Sequence, residues 1–297
     1  MPDVKLIYDN VSGNPGDVAI GQIELEYMRA FSIDVNPVDP DYSGGDTLVI
    51  GGGELLQPVD NPFYRRFRRK GHHLLYAVGL GDDVYALTYL REYRYVSART
   101  KQDALLLERA GGPQADVVPY PANLLEPADS GLDARGMIGL QTSSTQYCDA
   151  YIQHFKGQHV LAFPWRRDCG GLMDHDDLDD ARRVALGTGG ELLPTGLTPA
   201  QLMHVISQLD FFVCQTLHGA IWALQSGVNF IVQSYVPKIY YWAKERGLTN
   251  RVFQKPAEIP SVLAHLKPES SYPIAEIDRE GAIAGLDQLC RRIAEME

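Results

Sequence analysis

The stretch 210–238 constrains the fold of this 297-residue chain more than any other. It begins with a short apolar run at 211–213, which passes through a polar turn into apolar residues at helical spacing. A second apolar run, 230–232, follows Gly227. The order of strand, turn, helix and strand predicts a β-α-β unit, which joins two parallel strands of one sheet.

Two side chains of this unit occupy positions where parallel sheets bind ligands. His218 follows the first predicted strand and Lys238 follows the second. Ligands of open α/β sheets bind at the carboxyl ends of the strands, so both residues are candidates for a site. The alternative for His218 is a neutral ring bonded to backbone groups at the end of the sheet.

The same alternation of strands and helices runs through both halves of the chain. A segment rich in proline, glycine and acidic residues, 119–135, lies between the halves and is typical of an interdomain linker. We therefore predict an α/β protein of two Rossmann-like, doubly wound domains that face each other across a cleft. The predicted domains are residues 1–133, on the acceptor side, and 134–297, on the donor side, with the last helix packing back on the N-terminal domain.

Composition excludes several classes of protein. The formal net charge of −11 argues against nonspecific nucleic-acid binding, which depends on lysine and arginine. The four cysteines have no metal-ligand spacing, and no acidic pair stands at a strand end, so we expect no metal. The sequence contains no apolar run of about 18 residues and no signal-peptide pattern, which predicts a cytoplasmic protein.

Three arginines follow predicted strands. Arg99 follows the strand at 94–97, and a guanidinium there can hold a carboxylate or phosphate through two parallel hydrogen bonds. The alternative is an ion pair with Asp103, one helical turn on. Arg166 and Arg167 follow the strand at 159–163 and could also grip an anion. Solvent exposure of at least one of these two is the simpler expectation.

Two glycine-rich turns also follow predicted strands. The turn at 14–17 leads into the first helix, whose backbone N–H groups can approach an anion. Three consecutive glycines, 51–53, predict the close approach of a ligand or of a neighbouring backbone. Asp17 either offsets the helix dipole or takes part in catalysis. The candidate positions for an acceptor or a backbone-bound anion are Asn14, Gly16, Gly52, Gly53 and Glu54.

Arg99, His218 and Lys238 would converge if both domains directed their strand ends at one cleft. Two cations can neutralise a small anion, and a histidine between them can transfer a proton near neutral pH. This combination fits the transfer of an anionic small group to a sugar. The charge balance requires neither a metal nor an organic cofactor.

The sequence resembles the polysaccharide pyruvyl transferase family over most of its length. The motifs that carry the resemblance are NPGD at 14–17, GGGEL at 51–55, VSAR at 96–99, LHGA at 217–220 and SYVPK at 234–238. The resemblance implies a glycosyltransferase-B type of fold. It also implies a reaction in which phosphoenolpyruvate gives its pyruvate to two hydroxyls of one sugar, forming a cyclic ketal and releasing phosphate.

The resemblance further implies roles for individual residues. Arg99, His218 and Lys238 fall on positions thought to bind phosphoenolpyruvate, with Gly219 beside the histidine. In this interpretation His218 is the general acid, and Asp17 accepts the hydroxyl proton. The acceptor would be a polysaccharide or a lipid-linked oligosaccharide, and the protein would act at the inner face of the membrane with at most peripheral contact.

The sequence departs from the family pattern at three positions. The family commonly has arginine where this chain has Thr216, and aspartate where it has Thr100 and Tyr120. A lost guanidinium contact is worth about 1.5–3 kcal/mol, and Arg166 or Arg167 could replace it. These departures leave two alternative functions. The protein could be a glycosyltransferase of the same fold that uses a nucleotide sugar, or it could be a noncatalytic sugar-binding relative.

Overall fold

The computed structural model describes residues 4–56, 62–80, 86–143, 145–166, 177–266 and 272–296. The chain divides into two compact units. The first unit comprises Met1–Val11, Gly16–Leu124 and Ile277–Glu297, and the second comprises Ser12–Pro15 and Leu125–Glu276. Each unit contains a six-stranded sheet in which every neighbouring pair of strands is parallel. The predicted fold class, two α/β domains each built on a parallel, doubly wound sheet, is confirmed.

The observed boundary differs from the predicted one at 133/134. The units divide between Leu124 and Leu125, because the following segment is bonded to a helix of the second unit. The Ala128 amide donates to the Ala200 carbonyl at 3.0 Å, and the Ala134 amide donates to Gln208 Oε1 at 2.9 Å. The segment 125–136 is therefore part of the second unit rather than a free linker.

The strands of the first sheet are β1 (Val4–Ile7), β2 (Val35–Pro37), β3 (Thr47–Gly51), β4 (Leu74–Val78), β5 (Tyr95–Ala98) and β6 (Asp116–Val117). Those of the second are β7 (Ile138–Thr142), β8 (Val160–Pro164), β9 (Glu191–Leu192), β10 (Phe211–Cys214), β11 (Phe230–Gln233) and β12 (Val252–Phe253). The spatial orders are β2-β1-β3-β4-β5-β6 and β12-β11-β10-β7-β8-β9. Strand order therefore reverses between β1 and β3 in the first sheet and between β7 and β10 in the second, and such points are where doubly wound sheets bind ligands.

The helices connect these parallel strands. In chain order they are α1 (Pro15–Ala30), α2 (Pro62–Arg65), α3 (Lys101–Arg109), α4 (Cys148–Phe155), α5 (Asp177–Thr188), α6 (Pro199–Gln208), α7 (Leu217–Gln225), α8 (Pro237–Glu245), α9 (Ile259–His265) and α10 (Pro273–Ala294). Short 3-10 turns lie at Thr88–Glu92, Pro121–Leu124, Thr145–Tyr147, Thr249–Arg251 and Pro256–Glu258. The predicted β-α-β unit is β10-α7-β11, whose two strands are paired in parallel.

Apolar side chains cover the faces of both sheets. In the first unit one core cluster joins β1, β3 and β4 to apolar residues of α10, including Leu286 and Leu289. A second cluster, around Phe67 and Leu107, joins the same three strands to other segments. In the second unit β7, β8, β10 and β11 pack with residues of α4 and α5. Within the described ranges no helix has the combination of length and apolar character that crossing a membrane requires.

The three glycines at the end of β3 are explained by helix packing. A side chain at residues 51, 52 and 53 would collide in turn with Glu24, Ile20 and Asp17. These α1 residues are spaced to lie along one face of the helix, since residues three and four apart are neighbours. Gly52 and Gly53 also have positive φ angles of 59° and 77°, which glycine adopts most easily. The close approach predicted from the glycines is made by side chains of α1.

Glu24, on the same face of α1, is a buried carboxyl group. Its side chain is 0% exposed, and neither carboxyl oxygen has a hydrogen-bond partner among the described residues. Burial raises the pKa of Glu24 well above its usual value. Burial therefore favours the uncharged form of this carboxyl group in the folded protein.

The variant Glu24→Gln should become increasingly stable relative to wild type as the pH rises. Above about pH 4.5 the unfolded chain of the wild type releases the Glu24 proton while the folded protein keeps it, so the wild type loses stability. The loss is up to about 1.4 kcal/mol for each pH unit. Urea unfolding of both proteins between pH 4 and pH 8 measures the difference. A difference that stays constant across this range would contradict the assignment, and Glu26→Gln, an exposed change on the same helix, is the control.

Candidate functional site

The candidate site in the second unit lies at the carboxyl ends of β7 and β10, where the strand order reverses. Ser143 follows β7 and Gln215 follows β10. The Ser143 amide donates to Gln215 Oε1 at 2.5 Å, and Gln215 Nε2 donates to the hydroxyl of Tyr151 at 2.8 Å. These bonds fix the two strand ends to each other and to α4.

Gln141, at the end of β7, holds the turn that leads from β10 into α7. Its Oε1 accepts hydrogen bonds from the backbone amides of Gln215 and Thr216 at 2.8 and 3.1 Å. Its Nε2 donates to Thr216 Oγ1 at 2.8 Å. Gln141 is fully buried, so its amide has no competition from solvent at this position. The turn before α7 is therefore rigidly attached to the sheet.

Thr216 is the N-cap of α7. Its Oγ1 accepts from the Gly219 amide at 3.2 Å, the usual bond of a capping threonine. At the position where the resemblance leads one to expect arginine, this chain therefore has a threonine that caps α7. Gly219 is also engaged, because its amide makes the cap and a side chain there would meet Gln141 Oε1 at 2.8 Å. The predicted contact of Gly219 with a donor would have to use groups other than this amide.

His218 lies in the first turn of α7, next to the cap. Its ring is buried and lies 6.5 Å from the Trp222 ring, between centroids, with an interplanar angle of 36°. Trp222 in turn lies 5.2 Å from Trp165. The first turn of a helix carries the positive end of the helix dipole, which favours a neighbouring anion. The structure therefore keeps His218 at the carboxyl edge of the sheet, as the sequence predicted.

Asn14 belongs to the second unit together with its neighbours Ser12–Pro15. Its side-chain oxygen accepts a hydrogen bond from the Trp165 indole N–H at 3.3 Å. Through Trp165 and Trp222, Asn14 is connected to the aromatic row that includes His218. The sequence placed Asn14 in an anion-binding turn, and this contact with an indole was not predicted.

Lys238 lies in the first turn of α8, directly after β11. Its side chain is half-buried. Because β11 is the neighbour of β10, Lys238 and His218 follow adjacent strands at the same edge of the second sheet. This arrangement of the two residues is the one that the β-α-β pattern predicted.

Arg166 follows β8 and is held by Asp177, a fully buried residue at the start of α5. The Arg166 backbone amide donates to Asp177 Oδ2 at 2.7 Å, and its Nη2 donates to the Ser143 carbonyl at 2.9 Å. Nη2 also lies 3.5 Å from Asp177 Oδ1. Much of the charge of Arg166 is therefore balanced within the unit. Arg167, the other predicted anion-binding arginine of this loop, lies outside the described residues.

Arg99, in the first unit, is paired with two carboxylates. Its Nε donates to Asp103 Oδ2 at 3.2 Å, and its Nη2 lies 3.6 Å from Glu54 Oε2. The guanidinium also lies 4.9 Å above the ring of Tyr120. The residue is only 3% exposed, and a side chain at Gly79 would collide with it. The pairing with Asp103 is the alternative that the sequence left open.

The acidic groups around Arg99 exceed its single positive charge. Burial alone would lower the pKa of the guanidinium, but Tyr120, Asp103 and Glu54 together raise it above its usual value. Burial is also the largest cause of the raised pKa of Tyr120, and Asp103, Glu54 and Asp17 raise it further. Arg99 is therefore a charged group that is neutralised inside the first unit.

Asp17, Thr100 and Tyr120 lie near these charged groups. Asp17 approaches Gly53, since a side chain at Gly53 would meet Asp17 Oδ1 at 2.9 Å. Thr100 caps α3 and donates to Asp103 Oδ2 at 2.6 Å. Tyr120 is buried against the guanidinium. Arg99, Glu54 and Asp103 together form the Arg99 cluster. Two of the three departures from the family pattern contact it: Thr100 is bonded to Asp103, and Tyr120 packs against the guanidinium.

Three glutamines of the second unit were not predicted from the sequence. Gln141, Gln215 and Gln233 lie at or just after the ends of β7, β10 and β11, at the edge where His218 also lies. The strand-end rule that drew attention to His218 would also have identified them, but uncharged amides carry no signal for anion chemistry. Across the described ranges, no group of three or more His, Cys, Asp and Glu side chains is arranged to hold a metal ion.

The fold is similar to that of several solved structures. A UDP-GlcNAc 2-epimerase from Neisseria meningitidis bound to UDP-GlcNAc matches with a TM-score of 0.60 and 10% identity, covering 99% of this chain and 100% of that chain. The enzyme of the same name from Methanocaldococcus jannaschii matches with a TM-score of 0.57 and 8% identity, covering 99% of each chain. The wall teichoic acid polymerase TagF matches with a TM-score of 0.51 and 10% identity, covering 99% of this chain and 89% of that chain. At these identities the likeness concerns the fold, which is of the glycosyltransferase-B type.

Sequence comparison gives the family. No curated protein sequence matches the chain. A sequence model described as polysaccharide pyruvyl transferase matches residues 14–235, which include the turn at 14–17, the strand end at Arg99 and the capped helix with His218. This match covers well over half of the chain and confirms the resemblance seen in its motifs. The chain belongs to the polysaccharide pyruvyl transferase family.

Proposed function

We propose that this protein transfers pyruvate from phosphoenolpyruvate to a sugar of a polysaccharide or lipid-linked oligosaccharide. Pyruvate would be attached as a ketal, and phosphate would be released. The observation that carries the proposal is the position of His218, in the first turn of a capped helix at the strand-order reversal of the second sheet. The family of the chain, a transferase family of polysaccharide biosynthesis, supplies the reaction class.

His218 is the proposed general acid. Phosphoenolpyruvate needs a proton on its methylene carbon, C3, before C2 becomes electrophilic enough to accept a hydroxyl. An imidazolium can supply that proton near neutral pH, and general acid catalysis contributes about 100-fold to 10,000-fold to a rate. The rigid cap formed by Thr216 and Gln141 supports the proposal, because it holds the histidine in one position.

The proposed reaction balances without a cofactor or a metal. His218 protonates C3, and one sugar hydroxyl adds to C2 and returns its proton to His218. The bond between C2 and the phosphate oxygen then breaks, and the second hydroxyl adds to C2. The proton of that hydroxyl leaves with the phosphate as hydrogen phosphate. Lys238, which follows the neighbouring strand, would balance negative charge on the donor.

Two residues of the first unit, Arg99 and Asp17, also have roles in the proposed reaction. Arg99 would contact the donor through Nη2, which has no hydrogen-bond partner among the described residues. Glu54 and Asp103 reduce the charge that Arg99 can offer to an anion. Asp17 would accept the proton of the second hydroxyl and pass it to the departing phosphate. The proposal for His218 and Lys238 does not depend on either of these two roles.

Phosphate release tests the proposed function directly. The full-length protein is incubated with phosphoenolpyruvate and oligosaccharides ending in galactose, glucose, mannose or N-acetylglucosamine, free or lipid-linked. We expect phosphate release that depends on the acceptor, together with a product whose mass is that of the acceptor carrying a pyruvate ketal. Consumption of a nucleotide sugar with no phosphate released from phosphoenolpyruvate would overturn the proposal in favour of a glycosyltransferase.

A further inference from the structure

A cavity of about 140 Å³ lies in the second unit, lined by Ser143, Gln146, Gln215, Gln233 and Tyr235. Ser143 and Gln146 follow β7, Gln215 follows β10, and Gln233 ends β11. These three strands are neighbours, so the cavity lies at the carboxyl edge of the sheet, where α/β folds bind ligands. None of these lining residues carries a charge.

Two of the lining residues form a fixed wall. The backbone amide of Ser143 donates to Gln215, and the Ser143 hydroxyl donates to Asp177 Oδ2 at 3.1 Å. Gln215 also donates to Tyr151. Because these polar groups already have partners, this side of the cavity keeps its shape without a ligand.

Gln233 is the lining residue with an unmet hydrogen-bonding requirement. Its side chain is 1% exposed, and its Oε1 has no hydrogen-bond partner among the described residues. A buried carbonyl oxygen without a donor is unfavourable, so such groups normally have a partner. A ligand with an O–H or N–H group in the cavity would provide the missing donor.

The remaining groups define the chemistry of that ligand. The carboxamides lie at the ends of three strands, so they can meet polar groups that point in several directions. Each hydroxyl of a sugar ring can donate and accept, as a carboxamide can. Tyr235 is 50% exposed and adds an apolar ring face with a polar hydroxyl at its tip. A nucleobase presents its polar groups in one plane, and an anionic donor would require a cation in the lining.

We propose that this cavity binds a neutral sugar ring of the acceptor saccharide. The identification of that sugar as the acceptor rests on the proposed pyruvyl transfer, but the binding itself can be measured without phosphoenolpyruvate. In this assignment the sugar lies beside the end of β10, the strand that leads to His218. The second unit then binds the sugar as well as carrying the general acid.

Calorimetric titration with the methyl glycosides of galactose, glucose, mannose and N-acetylglucosamine tests the assignment. We expect at least one glycoside to bind and the variant Gln233→Leu to weaken its binding tenfold or more. The same variant should raise the Tm of the unliganded protein, because it removes the unpaired carbonyl. Gln153→Leu, an exposed change on α4, should leave both quantities unaltered.

The variant Tyr235→Ala is a second test of glycoside binding, and it replaces an exposed residue rather than a buried one. This exposed position should tolerate the substitution, and we expect weaker binding of the same glycoside with an unchanged Tm. Equal glycoside affinity in wild type and both variants would overturn the assignment. Binding of uridine with no binding of any glycoside would overturn it too, in favour of a nucleotide site.

These results are separable from those for the proposed function. Gln233-dependent glycoside binding in a protein that releases no phosphate from phosphoenolpyruvate would support the sugar site and reject pyruvyl transfer. Normal phosphate release with an unaltered acceptor KM in Gln233→Leu would support pyruvyl transfer and reject the sugar site.

Discussion

Replacing His218 with alanine should lower the rate of acceptor-dependent phosphate release by about 100-fold or more, which is the smallest contribution typical of a general acid. The ring lies in the first turn of α7, and the backbone around it is held by the Thr216 cap and by Gln141. The substitution should therefore remove the acid and leave the turn in place. Initial rates at saturating phosphoenolpyruvate, measured from pH 5 to pH 9, give the result.

The loss of rate should be accompanied by a change in the pH profile. Wild-type activity is expected to fall with rising pH, as the rate of a general-acid step does, and the alanine variant should lack that fall. His159→Ala is the matched control, since that histidine is 59% exposed and precedes β8, at the opposite edge of the sheet. Near wild-type turnover in the His218 variant would end the assignment of the general acid.

Replacing Arg99 with leucine should destabilise the protein by about 3–5 kcal/mol, the usual cost of removing one partner of a buried ion pair. Asp103 and Glu54 would lose the cation that balances them, and Asp103 is itself almost fully buried. The leucine would also leave the ring of Tyr120 without the guanidinium above it. The free energy of unfolding in urea at pH 7 measures the effect.

Arg135→Leu provides the comparison with an exposed pair. Arg135 donates to Asp133 at 2.6 Å, but its side chain is 79% exposed, so solvent competes with the pair. We expect unchanged stability for this variant. Equal stability of the two leucine variants would show that the Arg99 cluster does not stabilise the first unit. The double variant Arg99→Leu, Asp103→Leu should recover part of the loss, because it removes one of the unbalanced carboxylates.

The Arg99 cluster also bears on how the first unit could take part in catalysis. A guanidinium that is buried against two carboxylates offers less charge to a ligand than an unpaired one. The predicted donor contact through Arg99 would therefore be a single hydrogen bond from Nη2 rather than a bidentate grip. By contrast, His218 and Lys238 follow adjacent strands at the carboxyl edge of the second sheet, where α/β sheets bind ligands.

Some features of the site could be read from local sequence. His218 and Lys238 each follow a run of apolar residues with strand character, and such residues reach the carboxyl edge of a parallel sheet whatever the details of packing. The pairing of Arg99 with Asp103 was also accessible, because the two residues are only four apart where β5 leads into α3. In both cases the positions of the side chains depend on only a few consecutive residues of the chain.

Other features depended on segments far apart in the chain. The bond between Thr216 and Gln141 could not be predicted, because the two residues are 75 positions apart in the chain. The three glycines at 51–53 indicated a close approach but not that side chains of α1 make it. The glutamines around the cavity became a group only when β7, β10 and β11 were placed side by side.

The sequence by itself determined the two α/β units, the β10-α7-β11 motif and the edge of the sheet on which His218 and Lys238 lie. Its apolar periodicity and its strand-end residues are local properties, so they could be read without knowing the neighbours of each strand. Only the tertiary structure decided that Arg99 is balanced by Glu54 as well as Asp103, that Thr216 is bonded to Gln141, and that a neutral cavity borders β10. Those outcomes depend on the order of strands within each sheet and on the packing of helices against it, which bring distant side chains within hydrogen-bonding distance.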